Sequence, residues 1–290
     1  MFTNTLKTFT LLAGLGGLLV AIGGLIGGQS GLLIGLLLGV GVVGFSYWNS
    51  HKLALRAARA SVVTEAQAPE LYRMVASLAQ RAGLPMPTVA VSPSDQPNAF
   101  ATGRNPEHAV VCVTQGLWQN MPRDEIEGVL AHELMHVRHR DILIGSVAAA
   151  IGTAISALAN MAMFSAMFGG RDDDNNPIGA LLVAMLAPLA AGLMQMAVSR
   201  SREFDADRGA AELLGTGEPL ARALQRIEVL AKRRPMAVNP NQAYAWIHNP
   251  LSEMPRRRGG PDMARLFSTH PATDERIARL RAMRISGAAD

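Results

Sequence analysis

The chain has 290 residues, 49% of them hydrophobic and only 17% charged, with a mean hydropathy of +0.17, a formal charge of +4 and a pI of about 9.7. That balance is too apolar for an ordinary soluble enzyme and points to membrane-spanning segments; beside such segments the basic excess reads as loops near anionic lipid, not as a nucleic-acid surface. A lone cysteine, Cys112, excludes an internal disulfide and a cysteine-ligated zinc site, and reads as a small core residue of a strand.

Residues 8–28 and 31–48 are two apolar, glycine-rich runs joined by Gly28-Gln29-Ser30, and are expected to form a transmembrane hairpin. Gly31, Gly35 and Gly39 recur at the spacing that lets helices approach closely in lipid, and Tyr47 and Trp48 suit the interfacial belt. His51, Lys52, Arg56 and Arg59 follow, while the hairpin turn is uncharged, so the positive-inside rule puts both the N-terminus and residue 51 onward in the cytoplasm. Residues 60–140 read as a water-facing domain. The apolar spacing of Leu71, Val75, Leu78 and Ala79 predicts a helix from Pro69 to Ala82, stopped by Gly83. Short strands are expected at Thr88–Ser92, Ala99–Thr102 and Ala109–Thr114.

Pro122 then opens a helix with Asp124, Glu125 and Glu127 near its positive end and an apolar stripe of Ile126, Val129, Leu130 and Leu134. Within it lies His132-Glu133-Leu134-Met135-His136, an H-E-x-x-H motif. Residues four apart share a helix face, so His132 and His136 can offer two imidazoles to one Zn²⁺, and Glu133 stands one step round, placed to act as a general base.

Residues 142–168 and 178–198 are apolar again, separated by an acidic turn at 171–177, and Arg200, Arg202 and Arg208 mark a cytoplasmic return. A buried hairpin in a soluble protein is the rival reading; lengths of about 20 residues without internal charge favour the membrane. Residues 199–234 read as helix broken at Gly215-Thr216-Gly217, residues 235–262 as a long loop and candidate cover for the site, and residues 273–284 as a terminal helix with Thr273 as N-cap.

A catalytic zinc takes three protein ligands and keeps one position open. Ser201-Arg202-Glu203-Phe204-Asp205-Ala206-Asp207 puts Glu203 and Asp207 on one helix face, where one carboxylate could bind metal and the other accept an imidazole N–H. On chemistry alone a solvated charge run at a membrane exit fits equally well. His139 is set aside as a non-ligand, His51, His108 and His248 are assigned to surfaces, and Asp141 is read as a cap at the junction of two helices.

The ordered set of H-E-x-x-H with its extension to Asp141, Pro97-Asn98-Ala99-Phe100, S-R-E-F-D-A-D, Asn249-Pro250-Leu251, Phe267-Ser268-Thr269-His270-Pro271 and the tail from Pro271 to Ile277 resembles the M48 zinc metallopeptidases of the HtpX type. The resemblance implies a gluzincin-like integral membrane enzyme, mainly α with a small β-sheet and four transmembrane helices. It implies one Zn²⁺ per chain, held by His132, His136 and Glu203, with Asp207 orienting His132. It further implies Glu133 as general base, His270 and Arg276 at the oxyanion, and Asn98-Ala99-Phe100 as the strand that binds substrate. Phe204 stands where such proteins often have tyrosine, a packing difference.

The expected organisation is a hairpin over 1–50, a catalytic part over 51–141, a second hairpin over 142–198 and a second catalytic part over 199–290. The expected function is zinc-dependent endoproteolysis of membrane or misfolded proteins at the cytoplasmic face of the bacterial inner membrane, in quality control and stress response. The expected partners are protein substrates, the bilayer and other quality-control proteases, with no nucleic acid. The alternatives are a zinc-stabilised membrane scaffold and a prenyl-protein peptidase.

Overall fold

The computed structural model describes residues 2–142, 200–233, 246–247 and 271–283. The expected spans at 142–168 (Ile142 apart) and 178–198, most of the loop over 235–262, and His270 lie outside the described residues.

The apolar N-terminal sequence forms one helical run, α1 (Phe2–Ala57), 56 residues long. It is bent at Gly28, whose φ of +57° only glycine adopts at little cost. A methyl of Leu32 stands 2.8 Å from where a Cβ on Gly24 would lie, although eight residues of straight helix would separate the two by about 12 Å along the axis. Beyond the bend Leu33, Ile34, Leu37, Val40, Phe45 and Trp48 are each more than half exposed. Among the described residues, no helix is long and apolar enough to cross a membrane.

The following residues build a mixed four-stranded sheet of β1 (Ser61–Val62), β2 (Thr88–Ser92), β3 (Ala99–Gly103) and β4 (Ala109–Thr114), in the order β1-β2-β4-β3. β2 runs parallel to β4, and β3 antiparallel to it with Ala99 opposite Val113. Strand β4 is buried throughout, as a continuous apolar run requires when both faces are covered. One face carries Phe100, Cys112 and Ala90 against Leu55 at the end of α1; the other carries Val89, Val111, Val113 and Ala99 against the helices. Thr114 pins the entry to β3: its hydroxyl accepts from the backbone N–H groups of Asn98 (2.9 Å) and Leu117 (3.0 Å) and donates to the Gln96 carbonyl (2.7 Å). Helices α2 (Pro69–Arg81) and α3 (Gln115–Asn120) complete this half.

Helix α4 (Arg123–Arg138) is the centre of the fold, with Ile126, Val129, Leu130 and Leu134 all fully buried. It packs most extensively on α5 (Arg200–Leu214) and α6 (Glu218–Arg233). Both crossings depend on small residues. A Cβ on Gly128 would stand 2.7 Å from the backbone nitrogen of Leu220, and one on Gly209 would stand 2.7 Å from Met135 Sδ. The acidic first turn of α4 is paired with α6. Glu125 is buried and takes a bidentate bond from Arg226 at 2.7 and 2.9 Å, and Asp124 pairs with Arg222. Helix α7 (Thr273–Ala282) packs on α5 and α6. Thr273 is its first helical residue and not its cap: the cap is Ala272, whose carbonyl accepts from Arg276 N–H at 3.1 Å, and no side chain caps the helix.

Candidate metal centre

Helical spacing alone puts His132 and His136 on one face of α4, and their Nε2 atoms come within 3.1 Å of each other. Glu203, in the first turn of α5, reaches them across the Gly209 crossing. Its carboxylate oxygens lie 3.7 Å from His132 Nε2 and 3.5 Å from His136 Nε2. These are the residues that the described part of the chain brings together as a possible metal trio, with donor atoms all within 4.8 Å of one another. His139 is the C-cap of α4 and stands outside the trio.

The donor set fits zinc. Ligands at 2.0–2.1 Å on a tetrahedral ion stand about 3.3 Å apart, between the observed nitrogen–nitrogen and nitrogen–oxygen separations. The electrostatics fit a cation as well. Burial opposes protonation of His136, but the hydrogen bond to Asp141 and the charges of Glu203, Asp141 and Glu133 outweigh it and lift the imidazole to about 9. Carboxylates arranged to hold a proton there would equally hold a divalent ion.

Both imidazoles have an acceptor on the nitrogen that points away from the trio. His132 Nδ1 lies 3.0 Å from Asp207 Oδ1, and His136 Nδ1 lies 3.3 Å from Asp141 Oδ2. A proton on Nδ1 leaves the Nε2 lone pair for a metal. Burial holds His132 down to about 4, against the pull of Asp207, so this ring is neutral at ordinary pH.

Arg276 comes from α7 with its guanidinium almost wholly buried. It makes a bidentate pair with Asp207, Nε to Oδ2 at 2.9 Å and Nη2 to Oδ1 at 2.7 Å, and its Nη1 lies 3.5 Å from Glu203. Burial alone would raise the Asp207 carboxyl, but Arg276 and the His132 hydrogen bond outweigh it and hold it at about 2. Asp207 therefore stays charged and fixed, and pairing with it holds the guanidinium charged despite its burial.

Glu133 is buried, and its charge is felt at His136, Arg276 and Cys112. Asn98 directly precedes β3, and Ala99 and Phe100 begin it; β3 is the edge of the sheet among the described residues and packs along α4. Cys112 is a buried strand residue whose thiol burial pushes up. Phe204, next to Glu203, carries the guanidinium of Arg279 over its ring at 3.8 Å. The contact between Asp141 and His136 is the arrangement that spacing left unread: position five after a ligand is beyond one helical turn, and only the reversal of the chain after α4 brings it back. The positive φ of Arg140, at +60°, marks that reversal.

An H-E-x-x-H helix crossed by a glutamate-bearing helix, with a strand edge alongside, defines a metallopeptidase centre. Residues 65–284 match the sequence profile of peptidase family M48, and the chain belongs to that family. Its relatives include proteins named protease HtpX homolog from Ralstonia nicotianae, 52% identical over 98% of both chains, and from Gemmatimonas aurantiaca, 49% identical over 97% of this chain and 99% of the relative. In fold it is similar to the crystal structure of S. mikatae Ste24p, with a TM-score of 0.51 at 21% identity, over 96% of this chain and 66% of that one.

Proposed function

We propose that this metallopeptidase is a zinc-dependent endopeptidase that hydrolyses peptide bonds of membrane or misfolded proteins at the cytoplasmic surface of the bacterial inner membrane. The observation that carries the reading is the trio of buried His132 and Glu203 with partly buried His136, and Glu133 on the helix of the two histidines. Bound at the trio, zinc would supply Lewis-acid polarisation of water and of the scissile carbonyl. Glu133 takes the proton of the attacking water and passes it to the leaving amine. Asp207 and Asp141 keep the two imidazoles in the ligating tautomer. The guanidinium of Arg276 is oriented by Asp207 and lies beside Glu203, and Arg276 with His270 is the proposed support of the oxyanion.

The membrane assignment is supported by α1. Its exposed apolar middle needs an apolar surround, and its end docks through Leu55 directly on the sheet that carries β3. On this reading the apolar runs 8–28, 31–48, 142–168 and 178–198 are four spans that would hold the site at the membrane surface, where substrates are membrane proteins and their exposed loops. Quality control and stress response, alone or alongside other membrane proteases, follow from that substrate class. Likeness to Ste24p carries the fold only. A scaffold with structural zinc would have four protein ligands and no use for Glu133.

The test uses the full chain in detergent. Chelation abolishes cleavage of an unfolded protein and zinc restores it, while Glu133→Ala binds zinc at one per chain and cleaves nothing. Cleavage by Glu133→Ala at the wild-type rate refutes the assignment.

A further inference from the structure

The segment Trp246–Ile247, between α6 and α7, lies on the free edge of β3. The Ile247 N–H donates to the Ala99 carbonyl at 3.0 Å. Because Thr114 N–H bonds to the Asn98 carbonyl, Asn98 faces β4 and Ala99 faces away from it, so Ile247 is bonded to the side of β3 that no strand covers among the described residues. The two side chains alternate across the sheet as those of a strand do. Trp246 packs edge-on against Phe100 at 4.7 Å between ring centroids, in the cluster with Leu55 and Cys112, whereas Ile247 is buried in the main core with Ala99 and Val113.

From this geometry we propose that Trp246–Ile247 is a built-in competitor for the substrate edge of β3: a substrate enters as an extended segment only by displacing it, and is selected for an adjacent bulky aromatic and β-branched pair that takes over the same two seats. The inference rests on the reading of β3 as the substrate strand. Displacement breaks the backbone hydrogen bond to β3, worth about 0.5–1.5 kcal/mol net, and uncovers the buried Trp246 and Ile247 side chains, a loss that a substrate filling the same two seats offsets. By strand alternation Ala101 and Gly103 also turn their backbone groups outward, so an extended substrate strand can bond to them as well as to Ala99. Seated there, Trp246 and Ile247 keep this edge from capturing folded neighbours.

The experiment compares the full chain with Ile247→Pro, which removes the donor N–H, and Trp246→Ala, which empties the aromatic seat. All are made in a Glu133→Gln background, zinc-loaded in detergent, and checked for fold by circular dichroism. The probe is a fluorescent peptide with the sequence of residues 243–250, read by anisotropy. The expected result is about tenfold tighter binding to Ile247→Pro, since removing a competitor raises the fraction of open edge. Trp246→Ala shows the same direction, and a peptide with Trp and Ile both changed to Ser loses the gain. With Glu133 intact, the same variants cleave an unfolded protein with a lower KM and an unchanged kcat. Equal peptide affinity for the parent and both variants, or a raised KM, overturns the competitor. Tighter peptide binding in the variants with no cleavage by any form overturns the peptidase reading and leaves the competitor standing.

Discussion

The two imidazoles of the centre are equivalent in the motif and are held in opposite ways. His132 is backed by Asp207 from α5, which is clamped by Arg276 from α7, 69 residues further on, so its support is wholly long-range and wholly buried. His136 is backed by Asp141, five residues away, and its side chain keeps 14% of its surface exposed. Without metal, burial dominates at His132 and lowers its pKa, whereas the surrounding carboxylates, which would equally hold a cation, dominate at His136 and raise it. The comparison teaches that the buried half of the site is tied to folding of the whole domain, while the other half is a local turn beside the entrance to the site.

The largest perturbation removes what the two halves share. Glu203→Ala is expected to drop zinc from one per chain to near zero by elemental analysis; retention of zinc would move the third ligand elsewhere. Asp207→Ala comes next. It leaves a buried guanidinium without its main partner, a change that costs about 3–5 kcal/mol in such pairs, and it weakens zinc by about 10–100-fold. Denaturant unfolding of the metal-free chain and zinc competition titration read the two effects separately, and a normal midpoint would show that Glu203 alone can hold Arg276. Asp141→Asn breaks only the local half. We expect about a tenfold loss of zinc affinity with the metal-free unfolding midpoint little changed, and an equal loss of stability in both variants would erase the asymmetry. The smallest effect is expected at the rim. Arg279→Ala removes the cation from the Phe204 ring and should cost about 0.5–1 kcal/mol with zinc affinity intact, measured by the same unfolding curves.

Much of this was legible because it is local. Helix α2, strands β2 to β4 and helix α4 follow from apolar periodicity and turn residues, and the metal face of α4 follows from the four-residue spacing of its histidines. Glu203 and Asp207 were legible as a helix face, but their direction was not: a charge run beside Arg200 and Arg202 has the same sequence whether it meets water or a metal. The cap of α7 was misplaced by one residue because threonine at a helix start is favourable both as cap and as first residue when the preceding backbone is already extended. The acidic turn of α4 resembled dipole compensation, and its actual partners, Arg222 and Arg226, lie about a hundred residues away.

Sequence by itself determined which residues could ligate, because ligand chemistry and helical spacing are properties of a few neighbouring side chains. It also determined the apolar character of α1. Only the tertiary structure decided which carboxylate faces which imidazole, that Arg276 turns inward to hold Asp207, and that Trp246–Ile247 lies on the edge of β3. Those pairings join elements far apart in the chain, and they are settled by how closely α4, α5 and α6 can approach at Gly128 and Gly209, a condition that no local pattern encodes.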